Sequence, residues 1–368
     1  MKDILDIYSD YLFSSFGQTT ATGLAQLLDG ELSHDQITRR LAKKKYSAKE
    51  WWQIVKPLVR QIESDDGVLI FDDSIAEKPY SDENEIICWH WDHSKGRTVK
   101  GINFITALYV SKDVSLPVSF ELVAKTETYL DKKSGKEKRK SPVTKNDQMR
   151  KMLRQCLHNQ IKIRYVLADI WFASAENMRT IKLELNKEFI MGLKSNRKAA
   201  LSQSEKEQGQ YQAICDLDWS EDRPIMIYLE KVPFPLLLIR QSFTNEDGST
   251  GERYLVTSDI DLKRDPLITI FQKRWKVEEY HRSLKQNASL VKSPTRTETT
   301  QTNHFIGALW AFVKIEMLKV RTANNHYRLK KKLYVSALQS AFNELRQLKP
   351  ITLETRFAQF TRHKVDAF

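Results

Sequence analysis

A chain of 368 residues, 41% hydrophobic and 29% charged, has the length for a sizeable core and the composition of a globular protein. Its formal net charge of +12 favours a polyanionic partner, nucleic acid first. Three widely spaced cysteines (Cys88, Cys156, Cys215), a start (MKDILDIYSDYLF) without signal-peptide order, and a longest apolar run of only Phe234 to Ile239 exclude a disulfide framework, a secretory leader and a membrane span, so a cytoplasmic protein with no membrane partner is expected.

Residues 1–64 read as all-helical. Thr22 to Leu28 has Leu24, Leu27 and Leu28 at helical spacing and runs into the turn Asp29-Gly30. Ser33 to Gln36 is a capping box opening a short helix that ends in Arg39, Arg40, Lys43, Lys44 and Lys45. A second capping box, Ser47 to Glu50, starts a longer helix with Trp51, Trp52, Val55, Leu58, Val59 and Ile62, in which Pro57 predicts a kink or an interruption. Short helix, tight turn and basic helix are compatible with a helix-turn-helix, and equally with a bundle whose basic run is solvated. Contact with DNA ends is expected through Arg39, Arg40, Lys43 and Lys44.

From residue 65 the pattern changes to short apolar runs. Gly67 to Phe71 reads as a buried strand ending at Asp72-Asp73-Ser74; Gly101 to Val110 and Leu116 to Val123 are further strands. Glu85 to Lys100 reads as a loop; its Cys88, His90 and His93 lack a second ligand pair of zinc-site spacing. Lys125 to Lys145 is nearly free of apolar residues and reads as a basic excursion, either solubilising or touching DNA. A short helix from Met149 precedes a strand, Ile163 to Leu167, that ends at Ala168-Asp169; a helix opened by Ser174 and a strand from Glu188 complete an α/β layout. Residues 197–258, with strands at Ile225 to Leu229, Leu236 to Arg240 and Tyr254 to Thr257 and a turn at Asn245 to Gly248, read as a β-rich insertion.

Asp265 to Gln286 reads as one long helix, with Asp265 as its cap and Pro266 in its first turn. Phe271, Arg274, Glu278 and Lys285 lie at offsets 0, 3, 7 and 14. At about 100° per residue they share one face about 60° wide. An acid between two bases on a rigid edge suits a metal-bound phosphate better than a core. Beyond it, Gln286 to Thr300 reads as a loop, Gln301 to Arg321 as an apolar helix with Phe305, Leu309, Phe312, Ile315 and Leu318 in a stripe, and Ser336 to Leu348 as an amphipathic helix after the basic run Arg328 to Lys332.

Asp72 and Asp169 both fall at ends of apolar strands, where unpaired carboxylates are costly unless they share a cation. With Glu278 they make a candidate three-carboxylate site. Phosphodiester chemistry explains the gathering, since two Mg²⁺ ions about 4 Å apart activate an attacking oxygen and stabilise a leaving one. Strand alternation gives Asp72 and Asp73 opposite faces, so one of the two should reach the metal.

These residues resemble the bacterial insertion-sequence DDE transposases of the signature Tyr-x2-Arg-x3-Glu-x6-Lys. Arg274, Glu278 and Lys285 match, with Phe271 at the tyrosine position, and the stretches IFDDS and VLADIWFAS resemble the family's first two acidic motifs. The resemblance covers roughly residues 65 to 320. It implies an α/β, RNase H-like catalytic core in two parts (65–196 and 259–322) around the β-rich insertion (197–258), with a helical DNA-end-binding segment (1–64) and a helical C-terminal segment (323–368). It implies Mg²⁺-dependent cut-and-paste transposition, Mn²⁺ substituting, with Asp72, Asp169 and Glu278 as metal ligands and Arg274, Arg282 and Lys285, beside the ring of Phe271, at the phosphates. The family's Asp-x-Ser/Thr pattern selects Asp72, with Ser74, over Asp73. Double-stranded DNA, as terminal inverted repeats and as target, is the implied partner, and a homodimer on paired ends the implied assembly. A catalytically silent DNA-binding derivative and an RNase H-like nuclease are the competing readings.

Overall fold

The computed structural model describes residues 4–43, 45–132, 135–219, 223–244 and 247–347. Four helices lead the chain: α1 (Ile4–Ser14), α2 (Ala21–Leu27), α3 (His34–Lys43) and α4 (Ala48–Ile62). Thr20 caps α2 by accepting from Gly23 N, and Ser33 and Gln36 form the expected capping box at α3. Asp29 and Gly30 turn the chain between α2 and α3 with φ of 47° and 83°. Helix α4 runs unbroken through Pro57, contrary to the expected interruption. Pro57 lies on the exposed side, so water can hydrate the carbonyl it leaves unpaired.

Among the described residues the sheet has eleven strands, built around β1 (Val68–Glu77). On one side β1 pairs antiparallel with β3 (Arg97–Ser111), which also carries β2 (Ile87–Asp92) and β4 (Val114–Leu122). The stretch expected as a loop at Glu85 to Lys100 is thus largely a hairpin. The basic excursion is likewise a two-stranded ribbon, β5 (Glu127–Leu130) with β6 (Glu137–Lys140). The β2 strand alternates Trp89 and Trp91 with buried Cys88 and His90, while the ribbon strands are exposed throughout and bury no apolar face that would announce them.

After α5 (Lys145–His158) comes β7 (Tyr165–Ala168), parallel to β1; α6 (Ala175–Arg179), capped by Ser174, leads to β8 (Glu188–Leu193), parallel to β7. Then β9 (Lys198–Ala200), α7 (Gln203–Glu207), β10 (Gln212–Ala213), β11 (Ile225–Leu229), β12 (Leu236–Thr244) and β13 (Thr250–Thr257) follow. Because β13 pairs antiparallel with β8, these strands extend the same sheet: the order is β10-β9-β11-β12-β13-β8-β7-β1-β3-β2, with β4 also on β3. Asn245 and Glu246 of the expected turn lie outside the described residues.

The expected long helix is two: α8 (Arg264–Gln272) and α9 (Trp275–Gln286). Lys273, Arg274, Lys276 and Val277 each donate to the carbonyl three residues back, at 2.9–3.1 Å, and this tightened turn separates the two helices. Lys263, not Asp265, precedes the first helical residue, leaving Asp265 and Pro266 in the first turn, where a missing N–H is harmless. The chain ends in α10 (Glu298–Thr322) and α11 (His326–Gln347), the latter taking in the basic run Arg328 to Lys332. Helix α10 is buried almost all round from Thr300 to Ile315. Tyr8 of α1 donates or accepts at His304 Nδ1 (2.9 Å) and packs over Gly307, where a Cβ would come within 2.8 Å of its ring. Trp51 of α4 donates to Pro117 O at 2.7 Å, so the leading helices and the sheet share one core.

Candidate active site

The parallel register fixes the first two acids. Phe71 pairs with Ala168 as the last rung between β1 and β7, so Asp72 and Asp169 leave that pair side by side at the carboxyl ends of the strands, the usual site end of an α/β sheet. Strand β1 does not stop there, as the sequence suggests, because β3 continues to pair with it as far as Glu77. Asp169 Oδ1 accepts from Trp171 N at 2.9 Å, which opens a short turn and holds the carboxylate in place. Helix α9 packs against β1 and brings Glu278, His281 and Lys285 over the strand ends. Asp72, Asp73, Ser74, Asp169 and these α9 residues line one cavity of about 740 Å³.

Charge in this cavity is unbalanced. Burial, then the neighbouring Asp169 and Asp73 carboxylates, push Asp72 up to about 8, against the pull of Arg274. Asp169 is raised as well, chiefly by burial. Arg274 Nη2 donates to Glu278 Oε1 at 2.8 Å, and its Nη1 lies 4.0 Å from Asp72 Oδ2. Its guanidinium therefore stands between the first and third acids. Asp73 is differently served: Lys145 Nζ and Asn103 Nδ2 donate to its Oδ2 at 2.6 and 2.8 Å. Asp72 thus faces α9, and Asp73 is neutralised from α5.

Among the described residues no group of three or more His, Cys, Asp or Glu stands close enough together to hold a metal ion. Glu278 Oε1 is instead engaged by Arg274. The chemistry of the donors nevertheless fits a hard divalent cation: burial and neighbouring carboxylates raise both Asp72 and Asp169, and a third carboxylate, Glu278, lines the same cavity.

The other residues singled out in the sequence divide. Lys285 Nζ donates to Ser74 Oγ at 2.7 Å inside the cavity, and Arg282 lines its rim. Phe271 is 5% exposed, and the Arg274 guanidinium lies 5.9 Å from its ring centroid, so the ring supports Arg274 and does not line the cavity. Glu279 is exposed and pairs with Lys276 at 3.2 Å. Arg39, Arg40 and Lys43 are exposed on α3; Lys44 lies outside the described residues.

The sequence reading gave no role in the cavity to His281 and Lys145. His281 Nδ1 is 4.0 Å from Asp72 Oδ2, and its Nε2 is buried with no hydrogen-bond partner among the described residues. Burial, with Lys285 and Arg274 nearby, lowers it to about 3 and keeps the ring neutral. Its position three residues after Glu278 was a usable signal. Lys145 had none, since only the tertiary fold sets it against Asp73. His93 stacks on the half-exposed Trp171 (centroids 4.5 Å apart), and Lys194 sits 4.6 Å from the same indole.

With that geometry, comparison with known proteins gives a family. A family model described as DDE superfamily endonuclease matches residues 1–212, and one described as transposase DDE domain matches residues 140–313. No curated protein matches the chain. Among solved structures, a "Drosophila P element transposase strand transfer complex" is similar over 51% of this chain and 37% of that one, at 10% identity and a TM-score of 0.23, a likeness too loose to carry an argument.

Proposed function

This chain belongs to the DDE superfamily endonucleases, and on that premise we propose that it is a DNA transposase that cuts the ends of an insertion sequence and joins them to target DNA. The observation that carries the reading is the register: Asp72 and Asp169 emerge adjacent from a parallel strand pair, beneath a helix that presents Glu278 to the same cavity. The arrangement around β1, antiparallel β3 carrying β2 and β4 on one side and parallel β7 and β8 on the other, supports an RNase H-like core.

Asp72, Asp169 and Glu278 would hold the divalent ion, Mg²⁺ or Mn²⁺, which when bound activates the attacking oxygen and stabilises the leaving one. The remaining residues act on the DNA. Arg274 exchanges Glu278 for a phosphate oxygen, with the Phe271 ring fixing its approach. Lys285 and Arg282 neutralise neighbouring phosphates. His281, neutral, keeps the Asp72 carboxylate oriented. Asp73, balanced by Lys145, stays out of the ligand set. Exposed Arg39, Arg40 and Lys43 on α3 support contact with the terminal inverted repeats. Val335, Leu338, Phe342 and Leu345 lie exposed on α11 at alternating three- and four-residue spacing, which supports pairing of two copies.

The test is metal-dependent nicking of duplex DNA carrying the inverted repeats that flank the coding region. Glu278→Gln should lower cleavage on the order of 10³-fold or more with end binding unchanged. Cleavage that persists in Glu278→Gln would dismiss the three-acid site; end binding with no cleavage by the native chain would favour a silent DNA-binding derivative; preference for RNA–DNA hybrid would favour a nuclease.

A further inference from the structure

Between Lys125 and Lys140 the chain carries seven bases and three acids, and none of those among the described residues lines the cavity. This stretch folds into the β5–β6 ribbon, whose strand residues are all exposed. A two-stranded ribbon is marginal alone in water, and this one is held at its root. Lys125 donates through its N to Glu85 O (2.7 Å) and through Nζ to Trp89 O (2.6 Å), and Arg139 Nη1 donates to Asn84 O (3.1 Å). Asn84 Nδ2 in turn donates to Arg296 O at 2.7 Å, tying the root to the loop before α10.

Register places Tyr129, Lys138 and Lys140 on one face with Glu127, and Lys136 at the turn end. Two of the acids meet lysines, Lys140–Glu127 at 3.3 Å and Lys138–Asp131 at 2.5 Å, and the lysine of each pair is exposed. Exposed pairs contribute about 0.2–1 kcal/mol each, so these lysines exchange readily onto phosphates. Five residues beyond the ribbon, Lys145 reaches Asp73 at 2.6 Å. Five residues of chain span at most about 18 Å, so the ribbon's root lies beside the cavity.

We propose that the ribbon is a DNA arm: it enters the major groove of the same duplex whose scissile phosphate lies in the cavity, with Lys136, Lys138 and Lys140 on the flanking phosphates. The major groove of B-DNA admits a two-stranded ribbon, and a basic, solvent-exposed face held at a fixed root is complementary to it in charge. The proposal rests on the transposase reading for the identity of the duplex.

The experiment compares the full native chain with the triple variant Lys136→Ala, Lys138→Ala, Lys140→Ala on inverted-repeat duplex, measuring the slope of log K against log salt and cleavage. Each lost phosphate contact lowers the slope by about 0.9, so a decrease of up to about 2.7 is expected, with unchanged urea unfolding. As a second measurement, a photo-crosslinker at Thr128→Cys, in a Cys215→Ser background, should mark bases near the cut. If the native chain binds and cuts while the variant keeps the native slope and the crosslinks are absent, the arm is overturned and the transposase reading stands. An arm-dependent slope in a chain that never cuts upholds the arm and removes that reading. A retained slope with altered sedimentation overturns the arm in favour of a contact between copies.

Discussion

Asp72 is where the free energy of folding and the chemistry oppose each other. Its carboxyl is 16% exposed and shares its surroundings with Asp169 and Asp73. A carboxyl whose folded value is raised, here from 3.8 to about 8, binds a proton more tightly when folded than when unfolded. Its charge therefore destabilises the fold progressively as pH rises from about 4 to about 8, and fully above that. Asp72→Asn should accordingly stabilise the metal-free protein by on the order of 2 kcal/mol at pH 8.5, with the gain vanishing near pH 4. Urea unfolding at the two pH values measures it, and added Mg²⁺ should raise Tm in the native chain but not in the variant. A variant less stable at pH 8.5 would contradict the crowded-carboxylate account. The sequence placed both aspartates at strand ends from the apolar runs before them, which holds for Asp169 after β7, whereas β1 runs on past Asp72 to Glu77. The sequence left Asp72 and Asp73 open on residue grounds because the partners that distinguish their surroundings, Lys145, Asn103 and Arg274, come from other parts of the chain.

At the scale of elements, hydrophobic periodicity located the buried strands and α10, because burial writes itself into residue type. It failed where tertiary contacts decide. No Gly or Pro marks the break at Lys273-Arg274, and the ribbon's strands bury nothing that a pattern could reveal. The junction of α10 and α11 was equally hidden. Glu316 is 2% exposed; its Oε1 accepts from Ser115 N (2.8 Å) and Lys319 Nζ (2.7 Å), and its Oε2 meets His326 Nε2 at 2.7 Å. Burial alone would raise this carboxyl, but the hydrogen bonds from His326 and Lys319 outweigh it and hold it below its usual 4.5. A depressed carboxyl stabilises the fold above its unfolded value and loses that contribution as pH falls through the folded one. Glu316→Gln should cost about 2–4 kcal/mol at pH 7, and the difference from the native chain should shrink as pH is lowered below about 4.5. Urea titrations at pH 7 and pH 3 measure both; a cost independent of pH would assign Glu316 a packing role only.

For the whole molecule, the net charge of +12 pointed to a polyanion, and the folded chain distributes basic groups over α3, the ribbon, the cavity rim and the start of α11. What composition could not convey is lateral pairing: the strands after β8 read as an insertion, yet they continue the sheet, since β-pairing partners are chosen in three dimensions and leave no mark on local sequence. Assembly belongs to this scale too. The proposed joining of two ends would use two copies, and α11 holds Val335, Leu338, Phe342 and Leu345 at 38–59% exposure, a stripe on which the proposed pairing can be tested. Residues 348–368, which include the end of the expected C-terminal helix, lie outside the described residues, so the prediction is framed on α11 alone. Leu338→Lys with Phe342→Lys should leave the unfolding transition within about 0.5 kcal/mol of native, because exposed positions contribute little to a monomer, while sedimentation shifts from dimer to monomer. Single-end nicking should then persist and paired-end joining should fall. If the double variant sediments as the native chain does, α11 is not the interface; if it loses nicking along with joining, the stripe supports the fold of the catalytic unit instead of the pairing of two.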